Sequence, residues 1–440
     1  MEKVVELEIK DLTSSGEGVG KYNGLTIFVD GALINEKVQV ALYEEKKNYA
    51  KGRLLKILQK AEERVDPICS KFDQCGGCQL MHLSYKGQLA VKENRVKDAF
   101  YRIGKLNNFK IAPCQPSPNQ LHYRNKIQLP ISQGMKMGLY AKGSHEIISI
   151  ENCLIHNPLG EQIVCAIKKL LATFPISIYD EKRGKGELRH LLVKTAVHNK
   201  KAIVVLITTL SPSKILKEIA KKLVKLPNVS GVIHGLNNRK NNVVRADKYK
   251  VLEGEYYLNE TLLGIQVQIS PPSFFQVNSL QAENIYKKAF ELAQIKKEDR
   301  IVDAYCGIGL FTCFLGKHSE FVTGIEVIKE AIEDAKINAR NNNVKVQFIC
   351  AKVEEEIGKL PRQDVVFLNP PRKGCEKSVL KAVATMNPKK IIYTSCDAAT
   401  LARDANVLSE MGYSDISLYP FDMFPQTMHV ETIAHFTKKS

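Results

Sequence analysis

The sequence contains no apolar run approaching the roughly 20 residues a membrane-spanning helix needs; the longest, near residues 202–210, has strand length. The opening Met1-Glu2-Lys3 is not followed by the apolar core of an export signal, so a cytoplasmic location is expected. Internal repeats, low-complexity segments and tail-like blocks of one charge are also missing. A disulfide framework is not expected either. Eleven cysteines in a chain read as cytoplasmic are thiols or ligands. Cys114, Cys165, Cys313, Cys350 and Cys375 have no patterned neighbours and read as small buried hydrophobes.

What is present is the composition of a soluble globular protein, 44% hydrophobic and 25% charged, in a chain too long for one core. Two or three domains are expected. The formal net charge of +17 favours a polyanionic partner, because lysine and arginine neutralise phosphates and release their counterions.

Residues 1–60 alternate in short stretches at 4–9, 25–29, 37–43 and 51–57, with Gly16, Gly18 and Gly20 as punctuation. That pattern predicts a small β-barrel of the kind that grips oligonucleotides. Residues 61–269 read as a central α+β domain. It opens with a compact cysteine loop at 69–83 and an amphipathic helix at 88–101. Strands at 126–130, 146–150, 191–196, 202–208 and 264–269 follow, with a helix at 215–226. Two basic clusters, Lys182, Arg183, Lys185 and Arg189, then Arg239, Lys240 and Arg245, are candidate phosphate contacts. In residues 270–440, strands at 300–304, 321–326, 346–351, 364–369 and 390–395 are separated by helical stretches such as 328–341. This is the pattern of a doubly wound α/β domain with a mostly parallel sheet.

Ile301-Val302-Asp303-Ala304-Tyr305-Cys306-Gly307-Ile308-Gly309-Leu310 is a buried strand running into a Gly-x-Gly turn and a helix. Glycines there let the backbone approach a ligand at a helix N-terminus. The third glycine of the dinucleotide fingerprint is lacking, which disfavours a hydride-transfer cofactor. The next strand ends in Glu326, a carboxylate placed to take two ribose hydroxyls. The layout resembles the S-adenosylmethionine-binding, Rossmann-like domain of class I methyltransferases. Asn369-Pro370-Pro371-Arg372 then puts a short polar side chain at the end of the fourth strand, over the gap between cofactor and substrate.

Near the C-terminus stand a cysteine and a carboxylate. Ile391-Ile392-Tyr393-Thr394-Ser395-Cys396-Asp397 places Cys396 where a strand ends, and His429-Val430-Glu431-Thr432 supplies Glu431. Carbon 5 of uracil is too weak a nucleophile to attack a sulfonium methyl unaided. A thiolate added at carbon 6 makes it an enolate, and a base must then remove the hydrogen at carbon 5. Cys396 and Glu431 fit those two needs.

Ser395-Cys396-Asp397-Ala398-Ala399-Thr400-Leu401-Ala402-Arg403-Asp404 resembles the nucleophile motif of the RNA (uracil-5-)-methyltransferase family, and His429-Val430-Glu431-Thr432 its general-base motif. Phe274-Phe275-Gln276-Val277-Asn278 resembles the stretch that opens its methyltransferase domain. The resemblance runs over nearly the whole chain. It implies Cys396 as nucleophile, Glu431 as base, and S-adenosylmethionine contacts from Gln276, Tyr305, Glu326 and Asn369. Two positions depart from the pattern: Asn369 stands where the family usually has Asp, and Ala398 where it has Pro. Asparagine keeps the shape and one acceptor but loses the charge that attracts a sulfonium.

Cys69-x5-Cys75-Gly76-Gly77-Cys78 has metal-ligand spacing, which by itself suits tetrahedral zinc or an iron–sulfur cluster. By resemblance to the ribosomal-RNA branch of the family, the group is a [4Fe-4S] cluster with Cys153 as fourth ligand, stapling the loop to the central domain. The N-terminal segment resembles that branch's TRAM domain. Together they imply RNA as partner, 23S ribosomal RNA first and transfer RNA second, with no membrane, no obligate protein partner and a monomer. An amino-methyltransferase fits Asn-Pro-Pro, but Arg372 follows in place of a base-stacking aromatic. A cytosine carbon-5 enzyme normally carries its cysteine in a different motif. A non-catalytic RNA-binding factor leaves Cys396 and Glu431 without a purpose.

Overall fold

Alternation builds the first layer. In the strand Lys3–Leu12, Val5, Leu7 and Ile9 point inward while Val4, Glu6 and Glu8 face solvent. Five such strands close into a barrel in the order Lys3–Leu12, Gly18–Tyr22, Leu25–Val29, Tyr49–Gln59 and Lys37–Glu45, which leaves no free edge. Gly18 and Gly20 lie inside a strand, where the sequence reading saw only punctuation. Close packing explains Gly20: a Cβ there would lie 2.2 Å from Leu7 Cδ1. The computed structural model describes residues 3–239 and 244–438, so Lys240 of the second basic cluster lies outside the described residues.

A buried ion pair ties the barrel to the chain that follows it. Glu36 is fully buried and accepts from Arg64 at 2.5 and 2.8 Å and from the Leu33 N–H at 2.9 Å. Burial alone raises such a carboxyl; the Arg64 and backbone hydrogen bonds outweigh it and hold Glu36 below its ordinary value.

The central sheet has seven strands, in the order Lys248–Gly254, Val229–Leu236, Lys201–Thr208, Leu188–Ala196, Lys126–Ser132, Lys136–Tyr140 and Ile147–Ser149. Lys201–Thr208 and Leu188–Ala196 are buried almost end to end because both faces are covered. Helices Pro158–Leu171 and Lys214–Leu223 cover one face. On the other, Leu192, Ile203 and Val205 share one hydrophobic cluster with the hairpin Leu258–Leu262/Ile265–Ile269 and with Ile285 and Ile301 of the C-terminal layer.

The C-terminal sheet has eight strands: Gln347–Cys350, Phe321–Glu326, Arg300–Ala304, Val365–Leu368, Lys390–Ser395, Glu431–Thr437, Asp415–Phe421 and Lys110–Ile111. The first five run parallel, and Glu431–Thr437 inserts antiparallel between Lys390–Ser395 and Asp415–Phe421. Strand order reverses between Arg300–Ala304 and Val365–Leu368, the switch point where open α/β sheets bind ligands at their carboxyl ends. The eighth strand comes from far upstream. So does the helix Tyr85–Arg102, whose Val96, Ala99 and Phe100 pack with Leu401 and Ala402. The sequence reading grouped this helix with the central domain; helical periodicity identifies a buried face but not the surface it meets.

Removing Arg64 strands Glu36 in the interior. Arg64→Ala is expected to cost about 3–5 kcal/mol in denaturant unfolding, and the double variant Arg64→Ala/Glu36→Gln, which leaves no stranded charge, clearly less. Equal losses would mean that the pair is not what holds this junction.

Candidate active site

Strand register brings the sequence-identified residues into one row. Ala304 pairs with Ile325 on one side and Leu368 on the other, so Glu326, Tyr305 and Asn369 stand side by side at three neighbouring strand ends. The next strand ends at Ser395, which pairs with Thr432. Continuing that antiparallel register by one step sets Cys396 opposite Glu431. From Glu326 to Glu431 the row spans four strand spacings, roughly 19 Å, room for a nucleoside cofactor and a base side by side.

At the cofactor end the backbone is shaped for close approach. Tyr305, Gly307 and Gly309 have φ of 66°, 55° and 73°. A Cβ on Gly309 would fall 2.7 Å from Ala335 Cβ, so glycine is required there by packing as well as by φ. Glu326 accepts from the Gly307 N–H at 3.2 Å and the Ile328 N–H at 2.9 Å, which fixes its carboxylate over the glycine turn. Gln276 arrives from the far side, just before the helix Ser279–Ala293. Its side chain lies beside Tyr286, whose phenol is pushed upward by burial, then by Asp303 and Glu431 nearby. Asp303 is itself buried under the turn, accepts from the Thr312 hydroxyl at 2.6 Å, and is raised by burial to about 7.

At the other end, Asp397 caps the helix Ala398–Glu410 by accepting from the Ala399 and Thr400 N–H groups at 3.0 Å each, which pins the turn that presents Cys396. The Cys396 thiol is half-buried. Burial and the facing Glu431 raise its pKa, while the positive charge of Arg372 opposes the rise. Glu431 is buried, and desolvation lifts its carboxyl to about 8 against the pull of Arg372. One guanidinium therefore favours the charged form of both the thiol and the buried carboxyl that faces it.

The other predicted ligands form a second site. Cys69, Cys75, Cys78 and Cys153 all line one cavity of about 540 Å³, walled by Phe72, Met81 and Leu139. All four are free thiols. Burial raises Cys78 first, followed by its neighbours Cys153, Cys75 and Cys69. Among the described residues no group of three His, Cys, Asp or Glu closes up tightly enough to hold one metal ion.

Comparison with known proteins identifies the domains. A TRAM domain model matches residues 2–55, a small methyltransferase domain model 285–389, and the tRNA (uracil-5-)-methyltransferase model 359–439. Over 98% of the chain and 95% of its partner, the sequence is 43% identical to a Clostridium tetani protein described as an uncharacterized RNA methyltransferase. A similarly described protein of Caldanaerobacter subterraneus is 42% identical over 98% of this chain and 97% of that one. The chain belongs to the RNA (uracil-5-)-methyltransferase family. The crystal structure of Pyrococcus abyssi tRNA (uracil-54, C5)-methyltransferase with S-adenosyl-L-homocysteine superposes with a TM-score of 0.79 at 26% identity. It covers 98% of this chain and 99% of that one.

Membership in the RNA (uracil-5-)-methyltransferase family explains the barrel and the Rossmann-like sheet, but three features of the site were not read from sequence. In sequence Arg372 stands out only for not being aromatic. Asp303 and Tyr286 look like interior residues of a strand and a helix, and only the fold shows them facing the row of strand ends. One predicted phosphate contact is corrected. Arg189 is buried, donates to the Arg239 carbonyl at 2.7 Å and lies 5.1 Å from the Tyr179 ring, so it is structural. Arg239 is paired with Asp247. Lys182, Arg183 and Lys185 are exposed on a turn.

The raised Glu431 carboxyl has a sign that can be tested. Its folded pKa of about 8 exceeds the ordinary 4.5, so the stabilising neutral form is fully present below 4.5 and is lost as pH rises to 8. At 1.36 kcal/mol per unit the penalty is at most about 5 kcal/mol. Glu431→Gln is expected to unfold at higher denaturant than the parent at pH 8, with the gap closing toward pH 5; a gap independent of pH would contradict the assignment.

Proposed function

We propose that this protein methylates carbon 5 of a uracil in RNA, most directly in 23S ribosomal RNA, using Cys396 as covalent nucleophile and Glu431 as general base. The observation that carries the reading is the register that sets Cys396 opposite Glu431, both under the influence of Arg372, on the edge that also holds Glu326, Tyr305 and Asn369.

In this reading S-adenosylmethionine supplies the methyl group, with Glu326 at its ribose hydroxyls and Gln276, Tyr305 and Asn369 as its other contacts. The target uridine is splayed out of its strand so that the base reaches the row. The Cys396 thiolate, stabilised by Arg372, adds to carbon 6. The electron pair of the 5,6 double bond moves to carbon 5, which takes the methyl from sulfur. Glu431 then removes the proton at carbon 5, and the returning electron pair restores the double bond and expels the thiolate. Asn369 accepts hydrogen bonds here without adding a charge. Turnover should rise with pH toward about 8 as Glu431 loses its proton.

Cys69, Cys75, Cys78 and Cys153, which line one cavity, are the thiols that would hold a [4Fe-4S] cluster, the group implied by the resemblance to the ribosomal-RNA branch of the family. Methyl transfer needs no electron exchange, so the cluster's part is structural. The protein is proposed to act as a cytoplasmic monomer with no obligate protein partner. Transfer RNA is the second reading, and a specific observation favours it: the archaeal enzyme named for tRNA uracil-54 superposes over the barrel and cysteine region as well as the catalytic domain.

Labelled methyl transfer to unmodified total RNA, followed by nucleoside analysis of ribosomal and transfer fractions, tests both levels. Labelled 5-methyluridine in 23S RNA, lost in Cys396→Ala, is expected. Label in transfer RNA alone would overturn the substrate, and undiminished turnover by Cys396→Ala would overturn the mechanism.

A further inference from the structure

The segment that delivers Glu431 has little structure of its own. Between the strands Asp415–Phe421 and Glu431–Thr437, successive carbonyls are taken up by distant parts of the chain. Met423 O accepts from Asn278 at 3.2 Å, Phe424 O from Lys92 at 3.1 Å, and Pro425 O from the Tyr123 hydroxyl at 3.1 Å. Gln426 O accepts from the Gln79 and Leu80 N–H groups at 2.9 Å each, and Met428 O from Arg95 at 3.0 Å. Gln79 and Leu80 directly follow Cys78. The cysteine loop therefore holds the base segment by its backbone.

Two glutamines close this junction. Gln88, buried in the helix Tyr85–Arg102, accepts from the Gln426 N–H at 2.9 Å. Its Nε2 donates to Gln426 Oε1 at 3.0 Å, to Leu83 O at 2.9 Å and to Leu80 O at 3.1 Å. The two Nε2 hydrogens are thus shared among Leu80 O, Leu83 O and Gln426 Oε1, while the Gln88 Oε1 takes the Gln426 N–H. Gln426 sits at φ 71°, a left-handed conformation a non-glycine residue holds only where its surroundings fix it.

We propose that the Gln88–Gln426 clamp is a positioning device for the general base: it fixes the segment 422–430 so that Glu431 faces carbon 5 of a uracil seated on Cys396. The proposal rests on the covalent mechanism above. It assigns the clamp to the proton-removal step, because Cys396 is presented by a different turn, pinned by Asp397.

Gln88→Met removes the shared amide at similar volume. Gln426→Gly keeps the backbone carbonyl and the positive φ and removes only the side-chain half, so it carries the test if Gln88→Met does not fold. Each variant is assayed as the full chain, prepared as the parent is, on the RNA fraction the parent methylates, and on the same RNA transcribed with 5-fluorouridine. Fluorine at carbon 5 leaves no proton to abstract, so the covalent adduct persists without help from Glu431. The clamp predicts kcat on uridine RNA down at least about tenfold with KM for S-adenosylmethionine within about twofold, and fluorouridine adduct forming at the parental rate. Hydrogen exchange should quicken at 422–430. Parental kcat in the folded variants, or adduct formation slowed as much as turnover, overturns the proposal. A parent that makes no 5-methyluridine would instead refute the function itself.

Discussion

The structure depends on one antiparallel strand in an otherwise parallel layer. Glu431–Thr437 enters between Lys390–Ser395 and Asp415–Phe421, and its register with Lys390–Ser395 sets Cys396 against Glu431. A one-residue slip would turn Glu431 to the opposite face of the sheet. The register is secured by packing on both faces: Ile433 enters one core cluster and Ala434 and Phe436 the other, so a slip would set each against the wrong neighbours. Folding energy and catalytic geometry are therefore specified by the same side chains.

The site also concentrates groups that the fold would be more stable without. Glu431 and Asp303 are buried carboxyls raised well above their ordinary values, and Cys396 is raised by burial and by Glu431. Arg372 is the cation that tempers the Cys396–Glu431 pair. Such groups persist where chemistry needs them and the surrounding contacts over-determine their position. Here those contacts reach across the molecule, from the cysteine loop and the helix Tyr85–Arg102 to the segment before Glu431, and from Asn125 to the Gln276 carbonyl at 2.9 Å. Domains that look separate in sequence share one mechanical frame.

Much of this was legible from residues alone, for reasons that can be named. The barrel follows from period-two alternation, and the strand at 25–29 was placed at its observed limits because Gly24 and the following turn bound it. The Gly-x-Gly turn and the acid at the next strand end announce themselves because backbone approach and ribose recognition each demand one residue type. What stayed hidden was long-range. The strand Lys110–Ile111 is two residues long and exists only because Asp415–Phe421 offers it an edge. Arg372 and Tyr286 act through proximity that no local spacing encodes. Arg189 looked like a phosphate contact because sequence shows charge and not burial.

The central claim is that Cys396 and Glu431 act on one uracil in succession. Glu431→Gln should leave the first step intact and block the last, so RNA and protein should remain joined through denaturation. The most direct measurement is mass spectrometry of the nuclease- and protease-digested adduct from this variant. A methylated uridine attached to the peptide at Cys396 is the predicted result. Free 5-methyluridine with no adduct, or attachment at another residue, would contradict the account.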